Sequence, residues 1–115
     1  MILNINGKDY ELKYTMRILK KLSQSGLDPY TNLDKIAGTV PNVIKSFHYG
    51  LLEENSKMTE AMAEKLIDAY VAEGNSTIDL GNLIVDAVME ALGFNSDDVI
   101  ESNEENDLEE SEEGK

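Results

Sequence analysis

The side chains that most often carry enzymatic or metal chemistry are scarce in this sequence of 115 residues. There is no cysteine, which excludes thiol catalysis, thiolate metal sites and disulfides. His48 is the only histidine, so a catalytic triad or an imidazole metal site would lack a second ring. Its place between Phe47 and Tyr49 in a helical pattern indicates a surface or half-buried helix position. We therefore expect no enzyme, no cofactor and no metal.

Two other patterns that could bind ligands fail on spacing. The acidic cluster near the carboxyl terminus lacks the alternating oxygen ligands and the central glycine of a calcium-binding EF-hand loop. Its members are Asp97, Asp98, Glu101, Glu104, Glu105 and Asp107. The eight glycines are scattered singly and form no phosphate-binding Gly-x-Gly-x-x-Gly fingerprint. Neither pattern predicts a ligand site.

The net charge of -13 is distributed unevenly along the chain. Residues 1–94 hold 13 acids and 9 bases, net -4, whereas residues 95–115 hold 10 acids and one base, net -9. Such a balance disfavours nucleic acid as a partner, because phosphate binding requires clustered Lys and Arg. The basic cluster is Arg17, Lys20 and Lys21, which we expect to be solvated on one exposed helix face.

This partition predicts a folded body at residues 1–94 and a disordered acidic tail at residues 95–115. The tail contains three large apolar residues, Val99, Ile100 and Leu108, too few to offset the ~1–2 kcal/mol per residue that backbone ordering costs. Two roles stay open for it: a solvating segment, or one that orders on a partner.

The chain shows no signal for a membrane or for export. The amino terminus lacks a basic leader and becomes polar after five residues, and no apolar run approaches the ~18 residues of a membrane span. We expect a soluble, cytoplasmic protein.

Residues 1–14 are typical of a β-hairpin. Asn6 and Gly7 form the strongest short hairpin signal, because a type I′ turn needs positive φ at both central positions. The resulting register pairs Ile5 with Lys8, Leu3 with Tyr10 and Met1 with Leu12. The apolar face that this register predicts consists of Met1, Leu3, Ile5, Tyr10, Leu12 and Tyr14.

Residues 15–94 predict four to five helices, at 16–25, 29–37, 41–55, 60–73 and 78–92. Thr15, Asp28, Thr59 and Ser76 are the predicted N-caps. Gly50, inside the third helix, indicates a close neighbour or a kink. The buried stripes are predicted to include Met16, Leu19 and Leu22; Val40, Val43, Ile44, Phe47, Leu51 and Leu52; and Met62, Leu66, Ala69 and Tyr70. The fold class is therefore mainly α (α+β), a hairpin packed on a small helical bundle.

The last predicted helix, 78–92, is apolar over more than half its circumference, so it is either central or part of an oligomer interface. Its breadth and the open hairpin edges predict a homo-oligomer. By apolarity and expected exposure, the candidate partner-binding residues are Leu83, Val88, Leu92, Val99, Ile100 and Leu108.

Residues 4–17, NINGKDYELKYTMR, resemble the amino terminus of tail assembly chaperones of long-tailed phages and prophages of Gram-positive bacteria. These begin with a short strand, an Asn-Gly-Lys turn, a second strand ending near Tyr-Thr, and a helix with an early Arg and a Leu pair. The chain length, the small helical body and the charged carboxyl terminus also match.

The resemblance implies a non-enzymatic protein that binds the long, helical tape measure protein and assists assembly of the tail tube. The major tail tube protein is a further implied partner. Such chaperones act in the host bacterial cytoplasm and are absent from the mature virion. Many also have a longer product made by a -1 ribosomal frameshift, and Glu113, Gly114 and Lys115 can be encoded by a slippery sequence. The alternatives left open are an acidic inhibitor that mimics DNA and a small helical oligomeric adaptor.

Overall fold

The computed structural model describes residues 1–94, and it shows an antiparallel hairpin followed by four α-helices. In chain order the elements are β1 (Ile2–Ile5), β2 (Lys8–Glu11), α1 (Met16–Gln24), a 3-10 turn (Leu33–Lys35), α2 (Val40–Leu51), α3 (Glu60–Ala72) and α4 (Thr77–Ala91). The predicted mainly α (α+β) class is confirmed. The predicted acidic tail, with Val99, Ile100 and Leu108, lies outside the described residues.

The hairpin forms as its turn residues dictate. Asn6 and Gly7 have φ values of 55° and 76°, the positive pair that a type I′ turn requires. The pairings Ile5 with Lys8 and Leu3 with Tyr10 are confirmed, and the Leu12 N–H donates to the Met1 carbonyl at 2.7 Å. Leu3, Ile5, Leu12 and Tyr14 are buried, whereas Met1, at the free strand end, remains 39% exposed.

The predicted N-caps are confirmed at three helices. Each side-chain oxygen accepts a backbone N–H three residues later, which satisfies a donor that has no partner within the helix. Thr15, Thr59 and Ser76 accept from Ile18 at 3.4 Å, Met62 at 3.1 Å and Asp79 at 3.0 Å.

The predicted helix at 29–37 is wrong, since this segment contains only the 3-10 turn Leu33–Lys35. The Asp28 carboxylate accepts from the Tyr30 N–H at 3.1 Å, and the Asp28 carbonyl accepts from the Asn32 N–H at 2.8 Å. The side-chain bond competes with helical hydrogen bonds, whereas the carbonyl bond has the spacing of a single helical turn that is not continued. The segment is nevertheless anchored, because Ile36 is completely buried.

Helix α2 also differs from its prediction. It begins one residue earlier, with Thr39 as its N-cap, and ends at Leu51 rather than at 55. The chain then turns toward α3, and the His48 ring Nε2 lies 2.8 Å from the Met58 carbonyl oxygen in a hydrogen bond that ties this turn to α2. His48 is half-buried, as predicted, and its ring stacks on Tyr49.

Helix α2 is the centre of the body, in contact with β2, α1, α3 and α4. Phe47 and Leu51 are buried on α2, as are Ile84 and Val88 on α4. Gly50 confirms the predicted close approach, because a Cβ there would lie 2.6 Å from the Tyr14 ring and from Leu12. The backbones of α2 and of the segment after β2 are also in direct contact, since the Lys13 N–H donates to the Gly50 carbonyl at 2.9 Å.

Three residues predicted to be buried are exposed: Met16 by 64%, Val40 by 71% and Met62 by 42%. Each lies in the first turn of its helix. On α3 the buried stripe is Ala63, Ile67 and Tyr70, one residue out of phase with most of the prediction. The small Ala63, completely buried, lets the helix approach its neighbours at a position that a hydrophobicity pattern undervalues.

The broad apolar surface of α4 is largely covered by the body itself. The buried residues of this helix are Leu80, Gly81, Ile84, Ala87, Val88 and Met89. Helix α4 is the longest of residues 1–94 at 15 residues, and no helix in that range combines the length and apolarity needed to cross a bilayer.

Candidate functional site

The candidate functional site is a groove of about 520 Å³ between the start of α2, the outer side of α3 and the first turn of α4. We call it the apolar groove. Its large apolar residues are Val40, Val43, Ile44, Ile67, Val71 and Ile78. The other residues that line it are Ala37, Gly38, Thr39, Glu64, Asp68 and Thr77.

Helical periodicity places these residues on two facing walls. On α2, Val40, Val43 and Ile44 recur at three- and four-residue spacing, which puts them on one face. On α3 the same spacing places two acidic and two apolar residues on one face: Glu64, Ile67, Asp68 and Val71. The apolar groove is therefore bounded by one face of α2 and one face of α3.

The apolar groove contains several large apolar side chains that are exposed to solvent. Val40 is 71% exposed, Ile78 is 75% exposed and Val71 is 44% exposed. Single exposed apolar residues are common on protein surfaces, but several that line one concave site mark an interaction surface. The other strongly exposed apolar residues, such as Met16 and Tyr30, line none of this groove.

Both charged residues that line the apolar groove are acidic. Glu64 and Asp68 lie one turn apart on α3, and both are exposed. Among residues 1–94, neither carboxylate forms an ion pair within 4.0 Å. They therefore present unneutralised negative charge along one side of an apolar surface.

Of the predicted partner-binding residues, Leu83, Val88 and Leu92 belong to the described residues, and none of these three lines the apolar groove. Val99, Ile100 and Leu108 lie outside the described residues. Leu83 on α4 and Leu92, the residue directly after this helix, are half-buried. Val88 is completely buried in the core, where a partner cannot contact it in this fold. Sequence reasoning missed the actual groove residues on α4, Thr77 and Ile78. The available signal was that this helix carries more apolar residues than its buried stripe uses.

The basic cluster on α1 is exposed, as predicted, and one member is paired. Arg17 Nη2 lies 3.1 Å from Glu53 Oε1, and the Thr15 hydroxyl donates to the other oxygen of Glu53. The Thr15 hydrogen bond, followed by the Arg17 interaction, lowers the pKa of the Glu53 carboxyl. This contact fixes the start of α1 to the end of α2.

The hairpin edges, which sequence analysis treated as open, carry side-chain acceptors. The Glu11 N–H donates to Glu54 Oε1 at 2.8 Å, and the Asn6 N–H donates to Glu73 Oε2 at 2.7 Å. The Glu54 carboxylate thus occupies an edge donor of β2 that an added strand would need, and the Glu73 carboxylate binds the turn between the strands. Self-association through the edge of β2 therefore receives little support, and the homo-oligomer prediction itself stays untested.

The described residues offer no arrangement for metal chemistry. Within residues 1–94, no three His, Asp or Glu side chains come together in a group that could hold a metal ion. The geometry of the apolar groove instead suits the burial of an apolar partner surface.

Comparisons of the chain with family models, with curated proteins and with solved structures gave no match.

Proposed function

We propose that this protein is a tail assembly chaperone, a non-enzymatic protein that binds a tape measure protein and assists assembly of the tail tube. The observation that carries the proposal is the apolar groove, a preformed concave surface with exposed Val40, Val71 and Ile78. A long helical client has an apolar stripe that must be covered before assembly, and a groove between two helices can cover one.

Two features of the sequence support this proposal. Residues 4–17 resemble the start of such chaperones, and the hairpin that they form leads directly into the helical body. The net charge of -13 would keep a complex with an apolar client in solution by mutual repulsion between complexes. In this proposal the protein acts in the host bacterial cytoplasm and is absent from the mature virion.

Co-expression tests the proposal. The tape measure protein encoded in the same gene cluster is expressed with and without this chain, and its soluble fraction is compared after lysis. We expect the tape measure protein to be soluble, and to copurify with this chain, only in the first case. An equally insoluble tape measure protein in both cases would contradict the proposal. Adding the major tail tube protein to the same experiment tests whether that subunit joins the complex.

Light scattering of the purified protein tests the homo-oligomer prediction. A mass that exceeds the 12.8 kDa of one chain, and rises with concentration, is the expected result. A constant monomer mass would contradict it.

A further inference from the structure

The chemistry of the apolar groove also specifies what kind of helix it takes. We infer that its occupant is an amphipathic helix from a different protein, with Lys or Arg side chains beside its apolar stripe. This inference rests on the proposed function and defines the client surface that this site would recognise.

The shape of the groove favours a helix. Its two walls are faces of α2 and α3. Side chains at three- and four-residue spacing on these walls can interdigitate with side chains at the same spacing on a helical occupant. Val43 and Ile67 lie deep in this surface as buried residues, while Val40, Val71 and Ile78 extend into solvent around them. A helix that lies between the walls would bury all three exposed side chains at once.

The charge of the groove selects among helices. Glu64 and Asp68 form no ion pair with any residue from 1 to 94, so their carboxylates are available to a partner. Because they lie one turn apart on α3, two basic side chains one turn apart on the occupant would match them. Lys or Arg beside the apolar stripe would provide this match, whereas Glu or Asp there would be repelled.

The same charges disfavour the two occupants that this chain could supply. Residues 95–115 contain ten acids and one base, so that segment would bring like charge to Glu64 and Asp68. A second copy of the chain would bring a net charge of -13, and its basic cluster lies on α1, whose apolar stripe of Ile18, Leu19 and Leu22 is already buried in its own body. A basic partner helix is therefore favoured over both.

Peptide binding tests the inference with the full chain. The probe is a fluorescein-labelled helical peptide of ~18 residues, long enough to be helical, with a Leu and Ala stripe flanked by Lys. A matched peptide replaces each flanking Lys with Glu. By fluorescence anisotropy at low salt we expect the Lys peptide to bind at least about tenfold more tightly than the Glu peptide, and this preference to shrink as salt is added.

Variants locate the binding. Ile78→Asp and, independently, Val40→Asp should each weaken binding of the Lys peptide by about tenfold or more, because each places a charge against the apolar stripe. The double variant Glu64→Lys with Asp68→Lys should reverse the preference between the two peptides. The control Met16→Asp alters an equally exposed apolar residue on α1 and should leave binding unchanged. Circular dichroism confirms that each variant keeps its helical content.

Several results would overturn the inference: equal affinity for both peptides, affinity that Ile78→Asp and Val40→Asp leave intact, or peptide binding only in a chain truncated after Phe94. Its failure can be distinguished from failure of the proposed function. If the wild-type chain keeps the tape measure protein soluble but shows none of these peptide preferences, the groove inference alone fails. If the preferences appear but the tape measure protein stays insoluble, the chaperone function alone fails.

Discussion

The Tyr14 hydroxyl donates a 2.7 Å hydrogen bond to the backbone carbonyl of Ser46, and both residues are buried. The Ser46 hydroxyl in turn donates to the Ile36 carbonyl at 2.8 Å. These two bonds connect the end of the hairpin to α2, and α2 to the segment that contributes Ala37 and Gly38 to the lining of the apolar groove. Buried polar groups that are paired in this way help to define a single packing arrangement.

The first prediction concerns the hydroxyl of Tyr14. Tyr14→Phe should lower the free energy of unfolding by about 0.5–1.5 kcal/mol, because it removes one buried hydrogen bond with little change in shape. Urea unfolding followed by circular dichroism measures this difference. Tyr30→Phe is the control, since Tyr30 is 77% exposed, and it should leave the free energy of unfolding unchanged. Equal effects of the two substitutions would contradict the role given to Tyr14.

The second prediction concerns alkaline pH. Burial raises the pKa of Tyr14 above its ordinary value, so the unfolded chain loses this phenolic proton first as the pH rises. The stabilisation by Tyr14 is complete below about pH 10 and is lost above it, by up to about 1.4 kcal/mol per pH unit. The advantage of the wild type over Tyr14→Phe should therefore shrink between about pH 9 and pH 11. A constant difference across that range would be inconsistent with the buried phenol.

The third prediction concerns close packing at Gly50. A Cβ at this position would lie 2.6 Å from the Tyr14 ring, so Gly50→Ala should destabilise the protein by about 1–2 kcal/mol even though alanine favours helix. Gly81→Ala is the matched control on α4, where the nearest atom, Ala37 Cβ, lies at 3.1 Å. Thermal and urea unfolding should show a smaller loss for that variant. An increase in stability for Gly50→Ala would show that the hairpin does not press against α2.

The fourth prediction concerns acid. The Thr15 hydrogen bond and Arg17 lower the pKa of Glu53, so the stabilisation from this carboxylate is present above the ordinary glutamate pKa and is lost as the pH falls through the lowered value. Glu53→Gln should therefore flatten the decline of the melting temperature in the pH range just below the ordinary glutamate pKa. Glu90→Gln, which also removes one negative charge, is the control. If the acid melting profile of Glu53→Gln matches that of the wild type, the contact with α1 contributes nothing to stability.

The parts of the fold that depend on local chemistry could be predicted from the sequence. The hairpin register follows from the positive φ values that Asn6 and Gly7 allow, and three helix starts follow from the capping oxygens of Thr15, Thr59 and Ser76. Each of these features is decided by residues within a few positions of one another. Tertiary contacts do not override them.

The apolar groove could not be predicted, because it depends on how three elements meet. Val40 looks like a core residue by its spacing on α2, and Ile78 looks like the first core residue of α4. Each is instead exposed in the first turn of its helix, Val40 by 71% and Ile78 by 75%. On α3 the buried stripe is shifted by one residue, so that the small Ala63 is completely buried and the larger Met62 is 42% exposed. Hydrophobicity patterns record side-chain size and type, but they do not record how closely two helices approach.

Photo-crosslinking shows directly whether the apolar groove contacts the client helix, which is the fifth prediction. The photoreactive residue p-benzoylphenylalanine replaces Ile78 in the full chain, which is co-expressed with the tape measure protein and irradiated. A matched chain carries the same residue in place of Met16, whose exposure of 64% is close to the 75% of Ile78. We expect a covalent adduct with the tape measure protein from position 78 and none from position 16. An adduct from position 16 alone, or no adduct from position 78 in a complex that copurifies, would contradict it.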